Sequence, residues 1–181
     1  MDTMSQFDGA IAQCHDIFTA KLNDYGASWR IMRPCSVTDQ IFIKAKRIRS
    51  IGTKGCSSVG EGILPEFKAI VNYAVIGIIQ LRRGYSDTID MSADEAVKLY
   101  DGITAEARRL LEIKNHDYDE AWRSMRVSSY TDFILTKIER VKEIEDNGGA
   151  VKVSEGIDSN YFDILVYAIF GIIKLTECPD E

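Results

Sequence analysis

A chain that matches itself at a fixed offset has to seat the same unit twice, and that narrows its possible folds more than any other feature. Residues 21–51 align with 114–144 at an offset of 93, with 14 of 31 positions identical. The shared residues include Lys21/Lys114, Asp24/Asp117, Tyr25/Tyr118, Trp29/Trp122, Arg30/Arg123, Arg33/Arg126, Lys44/Lys137 and Arg47/Arg140. A second block, 61–81 against 155–175, matches at an offset of 94. One residue was therefore gained or lost in the loop between the blocks, where the copies look unrelated. Loops tolerate such changes and packed helices do not.

Each copy reads as three helices. The first spans roughly 8–23, with Ile11, Cys14, Ile17, Phe18 and Leu22 on one stripe, and its counterpart roughly 94–115, where Ser92 and Glu95 form a capping box. Further boxes, Ser36-x-x-Asp39 and Ser129-x-x-Asp132, place the start of the second helix. Its apolar stripe is Ile41, Ala45, Ile48, Ile51, and then Ile134, Ile138, Val141, Ile144. The third helix starts near Glu61 or Pro65, and near Ser154 or Glu155. It is apolar nearly all round, which places it at the centre of a bundle. Segments 52–60 and 146–154 read as Gly/Ser-rich loops. The expected fold is all-α: repeat 1 over 1–81, a connector over 82–92 and repeat 2 over 93–181, packed about a pseudo-two-fold axis as one body.

Composition sets limits on function. The chain has 181 residues, is 45% hydrophobic and 28% charged, and carries a formal net charge of −6. That balance argues against broad nucleic-acid binding, which needs a basic excess, but leaves room for a local cationic pocket. Cys14, Cys35, Cys56 and Cys178 form no CxxC pair, and with only two histidines no zinc cluster is expected. Free thiols suit a reducing compartment. The first residues, MDTMSQFDGA, are acidic and lack an apolar leader. The apolar runs around 69–81 and 164–175 look too short to cross a bilayer. A cytoplasmic protein, without a membrane partner and compatible with a homodimer, is expected.

The residues open to chemistry are the shared ones without an obvious core role. Lys-x-x-Asp-Tyr-(x)3-Trp-Arg-x-Met-Arg recurs at 21–33 and 114–126. Arginines clamp phosphates through paired donors, and tryptophan stacks on a base. The alternative is that Trp29 and Trp122 seal the core while the arginines pair with nearby acids. In copy two, Glu155, Ser159, Asp163 and Tyr167 recur every four residues along one helix face. An aspartate in so apolar a run is costly to bury without a partner. Either Mg²⁺ held by Glu155, Asp163 and Glu61, or a cation from Lys137 or Arg140, would supply one. Copy one has Ala69 for Asp163 and Glu66 for Asn160, so copy two is expected to hold the more complete site.

These residues resemble the bacterial and phage domain called nucleotide modification associated domain 1, a domain that often occurs duplicated. The resemblance rests on Lys-x-x-Asp-Tyr, Trp-Arg, the Ser-x-x-Asp start, Lys-x-x-Arg, Ser-Glu-Gly-Ile and Asn-Tyr-x-Asp-Ile, and copy two is the closer match. A more distant likeness is to the all-α, MazG-like nucleoside triphosphate pyrophosphatases. Their paired Glu-x-x-Glu and Glu-x-x-Asp motifs are missing here; Glu155-x-x-Asp158 alone approximates the second. Three readings follow. In an enzyme, Asp117, Glu155 and Asp163 would serve hydrolysis with Mg²⁺. The substrate would be held by Lys21, Asp24, Trp29, Arg30, Lys44 and Arg47, and by Lys114, Trp122, Arg123, Lys137 and Arg140. A non-catalytic module would bind a nucleotide in the same pocket. In a scaffold, the repeated polar residues would only fix helix packing.

Overall fold

The computed structural model describes residues 2–54, 62–150 and 155–177. Glu61, Cys56, Cys178 and Ser154 lie outside the described residues. Among the described residues six α-helices form: α1 (Thr3–Tyr25), α2 (Pro34–Lys54), α3 (Leu64–Arg83), α4 (Ala93–Tyr118), α5 (Val127–Asp146) and α6 (Ile157–Glu177). Short 3-10 turns, Ser28–Ile31 and Ala121–Ser124, join the first helix of each copy to the second. The fold is all-α.

Some helix starts follow the sequence signals and others do not. Ser92 caps α4, its hydroxyl accepting from the Glu95 N–H at 3.2 Å. α1 begins earlier than its apolar stripe because Asp2 accepts from the N–H groups of Met4 and Ser5 at 2.9 and 3.0 Å. The boxes at Ser36 and Ser129 are not caps. α2 and α5 start two residues before them, and the N–H groups of Ser36 and Ser129 already bond to the carbonyls of Arg33 and Arg126, each at 3.0 Å. Pro34 accounts for the early start in copy one, since it brings a helical φ and no N–H to satisfy. α3 starts at Leu64 with a proline in its first turn, and it runs on to Arg83, which shortens the connector.

The helices pack as like pairs in tiers. α3 and α6 lie against each other at the centre, α2 and α5 pair on one side of them, and α1 and α4 pair on the other. Each helix thus meets its own counterpart, and the α1–α6 contact is answered by an α4–α3 contact, a pattern compatible with the expected two-fold relation. Both copies feed one core, with Phe7, Phe67, Tyr100, Tyr130, Tyr161 and Ile134 all fully buried. Cys14 is buried in it, and burial pushes its thiol up to about 12, while Cys35 is exposed; both are free.

The central crossing is close because two glycines permit it. A Cβ on Gly77 would lie 2.9 Å from the Tyr161 ring, and one on Gly171 would lie 2.7 Å from the Phe67 ring. Gly77 and Gly171 are equivalent positions, as are Phe67 and Tyr161. Each copy therefore gives one glycine seat and one ring to the other. Tyr161 cannot swing aside easily, because its hydroxyl bonds to that of Thr38 at 2.6 Å. Helices α3 and α6, at 20 and 21 residues, are longer than their apolar runs, and length and composition alone would let them cross a membrane. Their windows are 67% and 61% buried in the bundle, and this core role accounts for their apolarity.

Gly77→Ala and Gly171→Ala should each cost about 1–3 kcal/mol in urea unfolding, the usual effect of overpacking. Gly102→Ala, in α4 with open space around it, should be neutral or stabilising. A Gly171→Ala protein that unfolds like wild type would rule out this account of the crossing.

Candidate functional site

The shared motif folds alike in both copies except at the helix exit. α1 ends at Tyr25, and Gly26 takes a positive φ of 63° as its N–H bonds to the Leu22 carbonyl at 2.8 Å. In copy two the exit differs, with Asp119 and Glu120 both left-handed at φ of 46° and 55°. The Trp-Arg turn that follows is fixed from the end of the third helix. The Gln80 amide donates to the carbonyls of Trp29, Arg30 and Met32 at 3.1, 3.0 and 2.6 Å. Its equivalent, Lys174, donates to the Arg123 carbonyl at 2.9 Å.

The two arginines expected to hold phosphate are used elsewhere. Arg30 is 4% exposed and bonds to the Gln80 side chain, to the Gly84 carbonyl at 2.6 Å and to Asp90 at 2.8 Å. It thereby fastens the connector. Arg123 bonds to Glu120 at 2.5 Å and to the Thr3 hydroxyl at 2.8 Å, which fastens the start of α1. The Arg123 guanidinium and the Thr3 hydroxyl, which donates to Glu120 in turn, hold the Glu120 carboxyl down at about 2. Trp122 is 6% exposed, with Phe170 stacked on it at 4.4 Å and the Arg123 guanidinium 4.5 Å from its ring centre. No face is open to a base. The alternative reading, indoles in the core and arginines in ion pairs, describes these residues in copy two and Arg30 in copy one.

Other motif residues do converge, on a cavity in each copy. The copy-one cavity, of about 890 Å³, is lined by Lys21, Tyr25, Trp29, Met32, Ala69 and Tyr73 among others. The copy-two cavity, of about 440 Å³, is lined by Lys114, Tyr118, Trp122, Met125, Asp163 and Tyr167. These are the same positions of the repeat. Trp29 is half-buried against Phe18. The aromatic side chains free at the rims are Tyr25 and Tyr118, 67% and 71% exposed. Sequence reasoning passed over them in favour of the larger indoles. Their recurrence beside Asp24 and Asp117 was the available signal.

The acids sit differently from the expected stripe. Asp163 takes the ammonium of Lys114 at 2.8 Å on Oδ1 and that of Lys137 at 2.6 Å on Oδ2. Burial opposes its charge, but the two lysines outweigh burial and hold its carboxyl below the usual range. Glu155 accepts from Ser159 at 2.7 Å, and Asp117 lies exposed beside His116. Asp24 and Arg140 are exposed, and neither lines the two cavities described above. Among the described residues no group of three metal-ligating side chains converges. A hard cation needs several oxygen ligands, and both oxygens of Asp163 already hold ammonium groups, so the described acids do not fit a resident Mg²⁺.

Copy one is not short of an acid. Glu66, 3% exposed, accepts from Arg47 and lies 3.3 Å from Lys44. Copy two has Asn160 there. The acid has moved one helical turn, from the position of Asp163 to that of Glu66, and the shared lysine follows it.

A duplicated all-α protein with a motif-lined cavity in each copy is what the fold and these residues define. The model of one family, nucleotide modification associated domain 1, matches residues 21–81 and 114–175, and the chain belongs to that family. The matches open at Lys21 and Lys114 and close at the ends of the third-helix blocks, so they take in most of each cavity wall, leaving out Ile17, Phe18 and Leu111. No curated protein and no solved structure matches significantly.

Arg30→Ala should destabilise by on the order of 3 kcal/mol in urea unfolding, because it strips a buried charge site of its centre. Lys21→Ala, on an exposed lysine, should stay within about 0.5 kcal/mol of wild type. Equal effects would contradict the division between frame and cavity.

Proposed function

We propose that this protein binds a nucleotide in the cavities of its duplicated motif, within a nucleotide-modification or nucleotide-pool system. The observation that carries this reading is that the same positions line both cavities. Each combines an apolar floor, a rim tyrosine and a motif lysine. A nucleobase needs an aromatic face and an apolar bed, and its phosphates need cations. Tyr25 and Tyr118 supply the stacking surface. Lys21 and Lys44 supply the charge in copy one; in copy two Asp163 already takes Lys114 and Lys137. The family's description is consistent with a nucleotide role. The engagement of Asp163 by two lysines favours a binding module over a Mg²⁺-dependent pyrophosphohydrolase.

Thermal melts with a panel of deoxynucleoside triphosphates, with and without Mg²⁺, test this. A binder present at 100 times its Kd should stabilise by about 2.7 kcal/mol and raise Tm. Tyr25→Ala with Tyr118→Ala should cut affinity several-fold and leave the ligand-free Tm unchanged. Pyrophosphate release that Asp163→Ala abolishes would replace this reading with the hydrolase. No shift with any nucleotide would leave a helical scaffold.

A further inference from the structure

The two cavities differ most in where the acid sits. In copy two the Asp163 carboxylate lies between Lys114 and Lys137, with an ammonium on each oxygen at 2.8 and 2.6 Å. A lysine pair holds the oxygens of a phosphate by the same charge-assisted bonds. Copy one keeps both lysines, as Lys21 and Lys44, but replaces the carboxylate with the methyl group of Ala69. Lys44 turns to Glu66, at 3.3 Å, and retains donors for a second acceptor. Lys21 is exposed, and neither it nor Lys68 forms a salt bridge with any described residue. Among the described residues, the cavity wall there carries four cations, Lys21, Lys44, Arg47 and Lys68, and one acid, Glu66, to which Lys44 and Arg47 are paired. The cavity is also twice as large, about 890 against 440 Å³.

We infer that copy one holds an open anion seat for the polyphosphate of a nucleoside di- or triphosphate, between Lys21 and Lys44 over Ala69, and that Asp163 fills the equivalent seat in copy two. The working cavity is then the first. The base half of this assignment rests on the nucleotide reading above; the anion half does not, and inorganic tripolyphosphate can probe it alone. The excess of cations suits a chain of phosphates better than an uncharged nucleoside.

The test is calorimetric titration of the full chain with sodium tripolyphosphate and, separately, with deoxynucleoside triphosphates. Wild type should bind one equivalent of tripolyphosphate. Ala69→Asp should weaken it by about 10- to 100-fold, the scale of a lost charged hydrogen bond. Ala69→Asn adds the volume without the charge and should cost only a few-fold. Asp163→Asn should open the second seat and raise the stoichiometry to two. If Ala69→Asp fails to fold, Lys21→Glu, at an exposed position of the same pair, should show the same loss. Wild-type affinity in Ala69→Asp, two equivalents in wild type, or a stoichiometry unchanged by Asp163→Asn would each overturn the inference. Tripolyphosphate binding without nucleotide binding would keep the seat and remove the nucleotide reading. Nucleotide binding that Ala69→Asp leaves intact would do the reverse.

Discussion

The close crossing of α3 and α6 is the constraint on which the rest of the structure depends. A glycine on each helix lets an aromatic ring from the other rest on bare backbone. The exchange is reciprocal, so neither third helix can complete its burial within its own copy. This explains why both helices are apolar nearly all round: one face serves the partner copy, and the others serve the flanking tiers. The outer pairs, α1 with α4 and α2 with α5, then meet as a consequence of how the central pair lies.

The cavities take their shape from the same helices. The third helix of each copy places a tyrosine, Tyr73 or Tyr167, and the variable residue, Ala69 or Asp163, on the cavity wall. About two turns beyond the tyrosine, Gln80 grips the Trp-Arg turn by its carbonyls and Lys174 grips it by that of Arg123. The helix that buries the core therefore also sets the cavity floor and anchors its far wall. A change at the crossing would be felt at both cavities through this one element.

The fold was legible because its signal is local and repeated: helical periodicity, unrelated loops between related blocks, and the Ser92 cap. The boxes at Ser36 and Ser129 misled because a serine and an acid at the right spacing do not fix where a helix begins. Pro34 supplied a competing start that needs no N–H partner. In the site, the motif was legible as a unit but its division of labour was not. Whether an indole faces a ligand or the core depends on Phe170 and Arg123, which pack on Trp122 from the sixth helix and the turn itself. Asp163 was recognisable as a residue in need of a counter-charge. That two lysines supply it follows from the approach of α4 and α5 to α6, which no local pattern encodes.

The two arginines of the motif have one more consequence. Arg30 of copy one secures the connector that leads into α4, and Arg123 of copy two secures Thr3 at the head of α1. Gln6 and Glu177 also bond, which brings the tail of α6 to the head of α1. Each copy thus fastens the entrance to the other. The tail of α6 and the head of α1 lie together, as do the end of α3 and the connector into α4, so the same contacts would hold if the second repeat preceded the first. In topological terms the order of the two repeats is arbitrary: either one could come first.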